Sequence, residues 1–389
     1  MNVKQAILLI GGLGTRLRPF TYKTPKPLLP IVDKPLIAHQ VARLKRCGIR
    51  DVILAVGNRA SLFRRLLGDG SRWGVRFIYS IEKEPLGTGG AIRLAARHVR
   101  GPALIMNGDV LDDLDVGRLI RFHGVRRAEA TLALVSVPDT SAFGVVETAR
   151  DGRVLSFIEK PAPGRSKADT ISAGCYLFDP GLFDEIPEDR AVSVEREVFP
   201  RLLGSGRRLF GFLHKGFWTD VGTLESYLDA HAAFLGRFSK YRPAGRKAGR
   251  GLWLAPGARM DSSAVLRGQA YLGPGCRVEA GAVLAGFVSA GEDCVIGEKA
   301  VVSDSVLHAG SRVGAGARVD GSILGEKVRV GSGTHVGPGM AVAPASISGE
   351  NSRTFGLISG SDAPGAASFA SGLISGSDAP GAASFASGL

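Results

Sequence analysis

Between Leu272 and Val342 an apolar residue recurs at six-residue spacing. The set is Leu272, Val278 and Leu284, then Val295, Val301, Leu307, Val313 and Val319; after a slip of one residue it resumes at Leu324, Val330, Val336 and Val342. Neither the 3.6-residue period of an α-helix nor the two-residue alternation of a strand gathers such a set on one face. A coil with three flat sides does, because each side takes one hexapeptide and turns its aliphatic residue inward. Glycine, which tolerates tight corners, follows the apolar position or sits two or three beyond it, as in "VIGEKA", "RVGAGA" and "HVGPGM". It is also denser here: 28 glycines lie in the first 250 residues and 26 in the last 139. Residues 252–343 are therefore expected to form a parallel β-helix of hexapeptide repeats, with a loop or bulged corner between Leu284 and Val295.

The first 236 residues have a different rhythm. Short apolar runs at Ala6–Ile10, Val52–Val56, Val75–Ser80, Ala103–Met106 and Thr131–Val137 alternate with helical patterns at Leu36–Arg46, Gly90–His98 and Leu114–His123. Runs of Ile, Leu and Val without alternation predict strands buried on both faces, hence a mostly parallel α/β sheet covered by helices. Such sheets bind ligands beyond the carboxyl ends of their strands. Gly11–Arg18, after the first strand, and Asn107-Gly108-Asp109, after a later one, should share that rim.

The 389 residues suffice for two or three domains. A formal charge of +13 suits polyphosphate substrates as well as nucleic acid. The chain has no recognition-helix, RNA-binding or zinc-finger signature, so nucleic acid is not the expected partner. No apolar stretch approaches the roughly 20 residues of a membrane span, and no membrane partner is expected. Cys47, Cys175, Cys276 and Cys294 lack metal-ligand spacing and read as reduced core residues of a cytoplasmic protein. Residues 237–251 ("RFSKYRPAGRKAGRG") hold six positive charges and no acidic residue, and read as an exposed basic linker. Residues 344–389 are rich in Ser, Gly and Ala, and Gly356–Ser371 recurs identically as Gly372–Ser387; this tail is expected to be disordered.

The chemistry concentrates in "GGLGTRLRPFTYKTPKPLLP" (Gly11–Pro30), directly behind "AILLI". A glycine turn after a buried strand suggests close approach of a phosphate. It is not a P-loop, since Lys23-Thr24 follows Tyr22 where that motif has Gly, nor a complete dinucleotide fingerprint, since Leu17 takes the last glycine's place. Further motifs follow: "EPLGTGGA" (Glu84–Ala91), "MNGDV" (Met106–Val110), "FGVVETARDGRVLSFIEKP" (Phe143–Pro161), "ISAGCYLF" (Ile171–Phe178), "SVEREVFP" (Ser193–Pro200) and "GFWTDVGT" (Gly216–Thr223). In content and order they resemble the sugar-phosphate nucleotidyltransferases, or nucleotide-sugar pyrophosphorylases. Residues 252–343 resemble the left-handed hexapeptide β-helix that several members carry behind a Rossmann-like catalytic domain. The likeness covers all but the linker and the tail, and is greatest to mannose-1-phosphate guanylyltransferases.

The resemblance implies attack of a sugar 1-phosphate on the α-phosphorus of a nucleoside triphosphate, with release of pyrophosphate. Such a transition state needs positioning and cations more than covalent help. Gly11, Gly12 and Gly14, with Thr15, would bring backbone N–H groups to the triphosphate; Arg16 would pair with the departing phosphates and Lys26, fenced by prolines, with the α-phosphate. Asp109 and Asp220 would share one Mg²⁺. Gly87 and Thr88 would lie at the nucleobase. Gly144, Glu159, Ser172 and Glu195 would bound the sugar, and Lys160 would hold its phosphate. Ser172 stands where the family has Asn; its hydroxyl offers one donor for the amide's two, so a sugar contact is lost or passes through water.

The implied substrates are GTP and α-D-mannose 1-phosphate, giving GDP-mannose, in a protein expected to form a homo-oligomer. Related enzymes join dTTP or UTP to glucose 1-phosphate, or GTP to a heptose 1-phosphate, and few contacts separate these specificities. Two other readings exist. In one, the β-helix is an acyltransferase with His308 or His335 as catalytic base, against which both read as surface histidines on a coil. In the other, the protein is a non-catalytic regulatory subunit, which predicts erosion of the charged site, yet Arg16, Lys26, Asp109, Lys160 and Asp220 are all present.

Overall fold

Gln5–Leu9 (β1) has four apolar residues in five, so both of its faces need cover. In the computed structural model it pairs in parallel with Asp51–Val56 (β2), which pairs in turn with Arg76–Ile81 (β3), and on its other side with Ala103–Asn107 (β4). The structure describes residues 1–354 apart from 163, 167, 189 and 237–240. It divides into a first unit, Met1–Leu17 with Thr21–Ser226, and a second, Arg18–Phe20 with Tyr227–Leu389.

In the first unit, Val110–Asp112 (β5) leaves the main sheet, and Ala130–Ser136 (β6) rejoins it. Gly144–Thr148 (β7) and Val154–Glu159 (β8) form the expected antiparallel hairpin, in which Gly152 takes φ 89° and the Asp151 carboxylate accepts from the Arg153 N–H at 3.0 Å. Thr170–Phe178 (β9) and Leu209–Leu213 (β10) complete a nine-stranded sheet of order β8–β7–β9–β4–β1–β2–β3, with β6 on β9 and β10 on β6. Only β8 and β9 oppose the rest, so the sheet is mostly parallel and Rossmann-like. The chain then returns as Trp218–Asp220 (β11), antiparallel to β5.

Helices cover both faces. Ala6 and Leu8 of β1 pack in one layer with Leu36–Arg46 (α1), Ala60–Leu67 (α2) and Val116–Arg126 (α4). Ile7, on the opposite face, packs with Gly87–Ala96 (α3) and Phe199–Gly204 (α5). The five predicted strands and α1 lie where the pattern put them, within a residue at each end. Helix α4 starts two residues later than predicted, because the Asp115 carboxylate caps it by accepting from the Arg118 N–H at 2.9 Å. Helix α3 starts three residues earlier, because Val192 O accepts from the Gly89 N–H at 2.8 Å.

In the second unit parallel strands stack at intervals of one coil. Val265 pairs with Val283 and Val283 with Val301, steps of 18 residues or three hexapeptides. The next steps, Val301 to Arg318 and Arg318 to His335, are 17. This strand-rich, parallel architecture is compatible with a β-helix. Between Leu284 and Val295 there is no loop in the repeat: Val283–Ala290 is one strand, whose pairing shifts register at a bulge between Ala285 and Val288, and buried Ala290 fills the inward position between Leu284 and Ile296. The inward residues are Ile296 and Val302, not their half-buried neighbours Val295 and Val301. Besides the slip before Leu324, a second one-residue slip falls between Val302 and Leu307.

Of the basic linker, residues 241–251 are described, and Arg246–Gly249 forms an exposed strand antiparallel to Leu252–Leu254. Of the expected tail, Arg353–Thr354 pairs with His335–Val336. Residues 355–389, which include the duplication, lie outside the described residues. His308 is not on the surface: it is 5 % exposed, its Nε2 lies 3.0 Å from the Tyr227 hydroxyl, and its ring is 5.2 Å from that of Phe20. Burial lowers its imidazole to a pKa of about 4. His335 is half-buried with its Nε2 3.1 Å from Asp320 Oδ2. The four cysteines form no disulfide. Among the described residues no helix is long and apolar enough to cross a membrane.

Candidate active site

Strands β1 and β4 run side by side with Leu9 opposite Asn107, so their carboxyl ends open onto one rim. From β1 the chain enters Gly11–Gly14. From β4 it turns at Gly108, whose N–H donates to Leu9 O at 2.9 Å. The two turns enclose a cavity of about 230 Å³ lined by Gly12, Gly14, Thr15, Arg16, Lys26, Gly108, Asp109 and Gly222, among others. Gly14 has φ +65°, and a Cβ there would lie 3.2 Å from Lys26 Cβ. Gly12 has nothing within 4 Å of an added Cβ: its bareness keeps space, where that of Gly14 permits a turn. Gly11 lies slightly apart, against Glu82.

At the cavity floor Lys26 opens a short 3-10 turn between Pro25 and Pro27 and is 7 % exposed. Its ammonium lies 2.9 Å from Asp109 Oδ2 and 3.4 Å from Asp220 Oδ1, and Arg16, largely exposed, is 3.7 Å from Asp220 Oδ2. These four residues come from the signature loop, the turn between β4 and β5, and β11, brought together by the pairing of β11 with β5 and by the Val221 N–H donating to Asp109 O at 2.9 Å. Burial raises the Asp220 carboxyl above its usual range, and the charge of Asp109 raises it further; Lys26 and Arg16 pull the other way. Two carboxylates thus share one ammonium, with the Arg16 guanidinium beside the second.

A second group lies along β7, β8 and β9. Gly144 is tight, since a Cβ would meet Phe157 at 2.6 Å and Glu159 Oε2 at 2.8 Å. Burial raises the Glu159 carboxyl, as does the nearby charge of Glu195, while Lys160 and Arg196 oppose the shift. Lys160 takes φ 47°, its N–H donates to Phe143 O at 2.9 Å, and its side chain is half-exposed, with Nζ 3.9 Å from Glu159 Oε1. Ser172 donates to the Tyr176 hydroxyl at 3.2 Å. Thr88 donates to Glu195 Oε2 at 2.7 Å and accepts from the Val194 N–H at 3.0 Å. Glu195 also accepts from the Ser193 hydroxyl, whose oxygen caps the following turn by accepting from the Arg196 N–H. Gly87, at φ +68°, packs against Val192 O, so the "GTGG" glycines serve close backbone packing as well as access.

Three contributors were missed in the sequence. The Trp218 indole donates to Ala173 O at 3.0 Å and its ring meets Phe143 edge-on at 5.4 Å, joining the carboxylate pair to the second group. Gly222 admits the Arg16 guanidinium, which would lie 2.6 Å from an added Cβ. Glu82, whose carboxyl burial raises, accepts from the Leu86 N–H at 3.0 Å and so orders the "EPLGTGG" segment. Trp218 and Gly222 carried a signal, since both stand in the "GFWTDVGT" motif; Glu82 lies outside the quoted motifs.

Comparison with known proteins agrees with this geometry. Residues 5–236 match the family described as nucleotidyl transferase, and residues 253–354 match the GMPPB C-terminal domain. The chain is 38% identical over 289 residues to the mannose-1-phosphate guanylyltransferase of Mycobacterium tuberculosis, across 68% of this chain and 80% of that protein. It is 38% identical over 238 residues to the mannose-1-phosphate guanylyltransferase catalytic subunit beta of Drosophila pseudoobscura pseudoobscura, across 60% of this chain and 63% of that one. Among solved structures, HddC from Yersinia pseudotuberculosis complexed with GMP-PN is similar with TM-score 0.52 and 27% identity, across 60% of this chain and 100% of that one. With more than half of the chain matched and so similar a relative covered over most of its length, the chain is an enzyme of the nucleotidyl transferase family.

Proposed function

We propose that the protein joins GTP to α-D-mannose 1-phosphate, releasing pyrophosphate and forming GDP-mannose. The observation that carries the chemistry is the convergence of Lys26 and Arg16 on Asp109 and Asp220 at a glycine-lined cavity. The choice of substrates rests on the names of the relatives, two of them mannose-1-phosphate guanylyltransferases, and on the GMP-PN bound to the Yersinia protein.

In this reading the triphosphate lies over Gly11–Thr15, whose backbone N–H groups meet its oxygens. Arg16 holds the β- and γ-phosphates and Lys26 the α-phosphate, while Lys160 holds the sugar phosphate whose oxygen attacks in line. A bond forms from that oxygen to the α-phosphorus as the bond to the bridging oxygen of the β-phosphate breaks. Asp109 and Asp220 fit Mg²⁺, because hard carboxylate oxygens of both converge on one place, which the Lys26 ammonium shares, leaving the other coordination positions to phosphate and water. Bound there, the ion would neutralise the two phosphates as they approach. Glu159, Glu195, Gly144 and Ser172 bound the sugar, and Gly87 and Thr88 the base. The parallel strands after Leu252 support a left-handed hexapeptide β-helix, through which copies of the chain associate as a homo-oligomer.

The test is a panel of the common nucleoside triphosphates crossed with mannose, glucose and heptose 1-phosphates, scored by pyrophosphate release. GTP with mannose 1-phosphate is expected to give the highest kcat/KM. Faster turnover of glucose 1-phosphate with dTTP or UTP, or of a heptose 1-phosphate with GTP, overturns the substrate assignment.

A further inference from the structure

Helix α1 lies outside the signature motifs and more than 60 residues before Asp109, yet two of its side chains grip the segment that carries that residue. Gln40 is 2 % exposed, and its Nε2 donates to Asn107 O and to Val110 O, both at 2.8 Å. One amide nitrogen thus ties the residues on either side of the Gly108-Asp109 turn. Two carbonyls at that distance require a donor, which fixes the amide orientation. The opposite atom, Oε1, is buried with no hydrogen-bond partner among the described residues. An unpartnered buried acceptor is costly, so the two donated bonds must repay it. One turn along, the buried Arg43 pairs with the Asp112 carboxylate, and its guanidinium also donates to Asp112 O at 3.3 Å.

The grip reaches the second carboxylate as well. Val110, held through its carbonyl by Gln40, is the register partner of Asp220 in the β5–β11 pair, and Asp112 is the partner of Trp218. Asp109 receives the Val221 N–H on its own carbonyl. The spacing of the Asp109 and Asp220 carboxylates is therefore set by a short two-stranded ribbon, and a two-stranded ribbon has little stability alone. Gln40 and Arg43 anchor that ribbon to a helix packed in the main core through Ile37, Val41 and Leu44.

We infer that Gln40 is a positioning residue that fixes the distance between the two carboxylates and so sets the affinity of the site for its divalent cation. The inference rests on the reading of Asp109 and Asp220 as the cation's ligands. Groups that orient metal ligands without touching the metal typically change affinity by 10–100-fold when removed. Gln40 touches neither carboxylate, so its effect falls on the cation and spares the phosphate contacts of Arg16.

The experiment measures Mn²⁺ binding to the full chain by electron paramagnetic resonance, with a non-hydrolysable GTP analogue present. Gln40→Met keeps the volume and loses both donors. It is expected to weaken Mn²⁺ by about 10-fold, with affinity for the analogue in EDTA changed by less than about 2-fold. Gln40→Asn, whose shorter amide reaches one carbonyl, is expected to fall between the two and keeps the question open to test should Gln40→Met fail to fold. Leu44→Ala, on the same helix but facing the core, is expected to lower Tm and leave Mn²⁺ binding unchanged. Wild-type Mn²⁺ affinity in both Gln40 variants overturns the inference, as does equal weakening by Leu44→Ala. Asp109→Asn separates the two readings: undiminished Mn²⁺ binding there removes the ligand assignment and this inference with it, whereas loss in Asp109→Asn but not in the Gln40 variants removes the positioning role alone.

Discussion

Asp220 shows how one residue's ionisation follows from its neighbours. Burial and the charge of Asp109 both favour its protonated form, while Lys26 and Arg16 favour the carboxylate. In the proposed function only the ionised form would hold the cation, so activity should be present above the pKa of Asp220 and be lost as pH falls through it. A raised pKa moves that acid limb upward. Asp109→Asn removes the neighbouring charge and so should move the limb down, even as the loss of the proposed charged ligand should lower kcat/KM on the order of 10²–10³-fold. The pH profile of residual pyrophosphate release checks the first part, and NMR titration of the Asp220 carboxyl reads the shift directly. An unmoved or raised Asp220 pKa in the variant would show that Asp109 is not its electrostatic partner.

At the scale of elements, the two glycine-bearing turns at the ends of β1 and β4 do different work. A Cβ on Gly108 would meet Ile10 Cγ2 at 2.4 Å and Leu9 O at 2.6 Å, so strand β1 itself forbids a side chain. Gly108→Ala should therefore destabilise by about 1–3 kcal/mol, as overpacking does. Gly12 faces only the cavity, so Gly12→Ala should hold stability to within about 0.5 kcal/mol and raise KM for the nucleotide by crowding its phosphates. Thermal unfolding together with KM for GTP separates the two. A Gly12→Ala enzyme with unchanged KM would mean that the triphosphate does not lie on that turn. Both glycines stand in motifs, but sequence does not distinguish a glycine that makes space for a ligand from one that makes space for a strand.

For the whole molecule, the proposed association through the region after Leu252 predicts that residues 1–236 alone sediment as a smaller species than the full chain. A 1–236 fragment with the full-length oligomeric state would place the interface in the first unit. The sequence by itself determined the periodicities and the order of the motifs: non-alternating apolar runs can be buried only between two helical layers, and a six-residue repeat suits only stacked flat-sided coils. It also placed Gly11–Arg18 and Asn107–Asp109 on one rim, because parallel strands deliver their carboxyl ends to the same edge. It misjudged the inward phase after Leu284, since a small Ala290 fills its position silently and Val295-Ile296 and Val301-Val302 each offer two candidates for one inward place. It took His308 for a surface residue, since its burial with Tyr227 and Phe20 joins chain segments far apart in number. Only the tertiary structure decided that Lys26 is shared by two carboxylates 111 positions apart, that Trp218 links the two groups, and that Gln40 grips the turn between them. Local pattern records what each segment must bury, whereas the contacts that tune a site are made between segments and appear only once the chain has closed on itself.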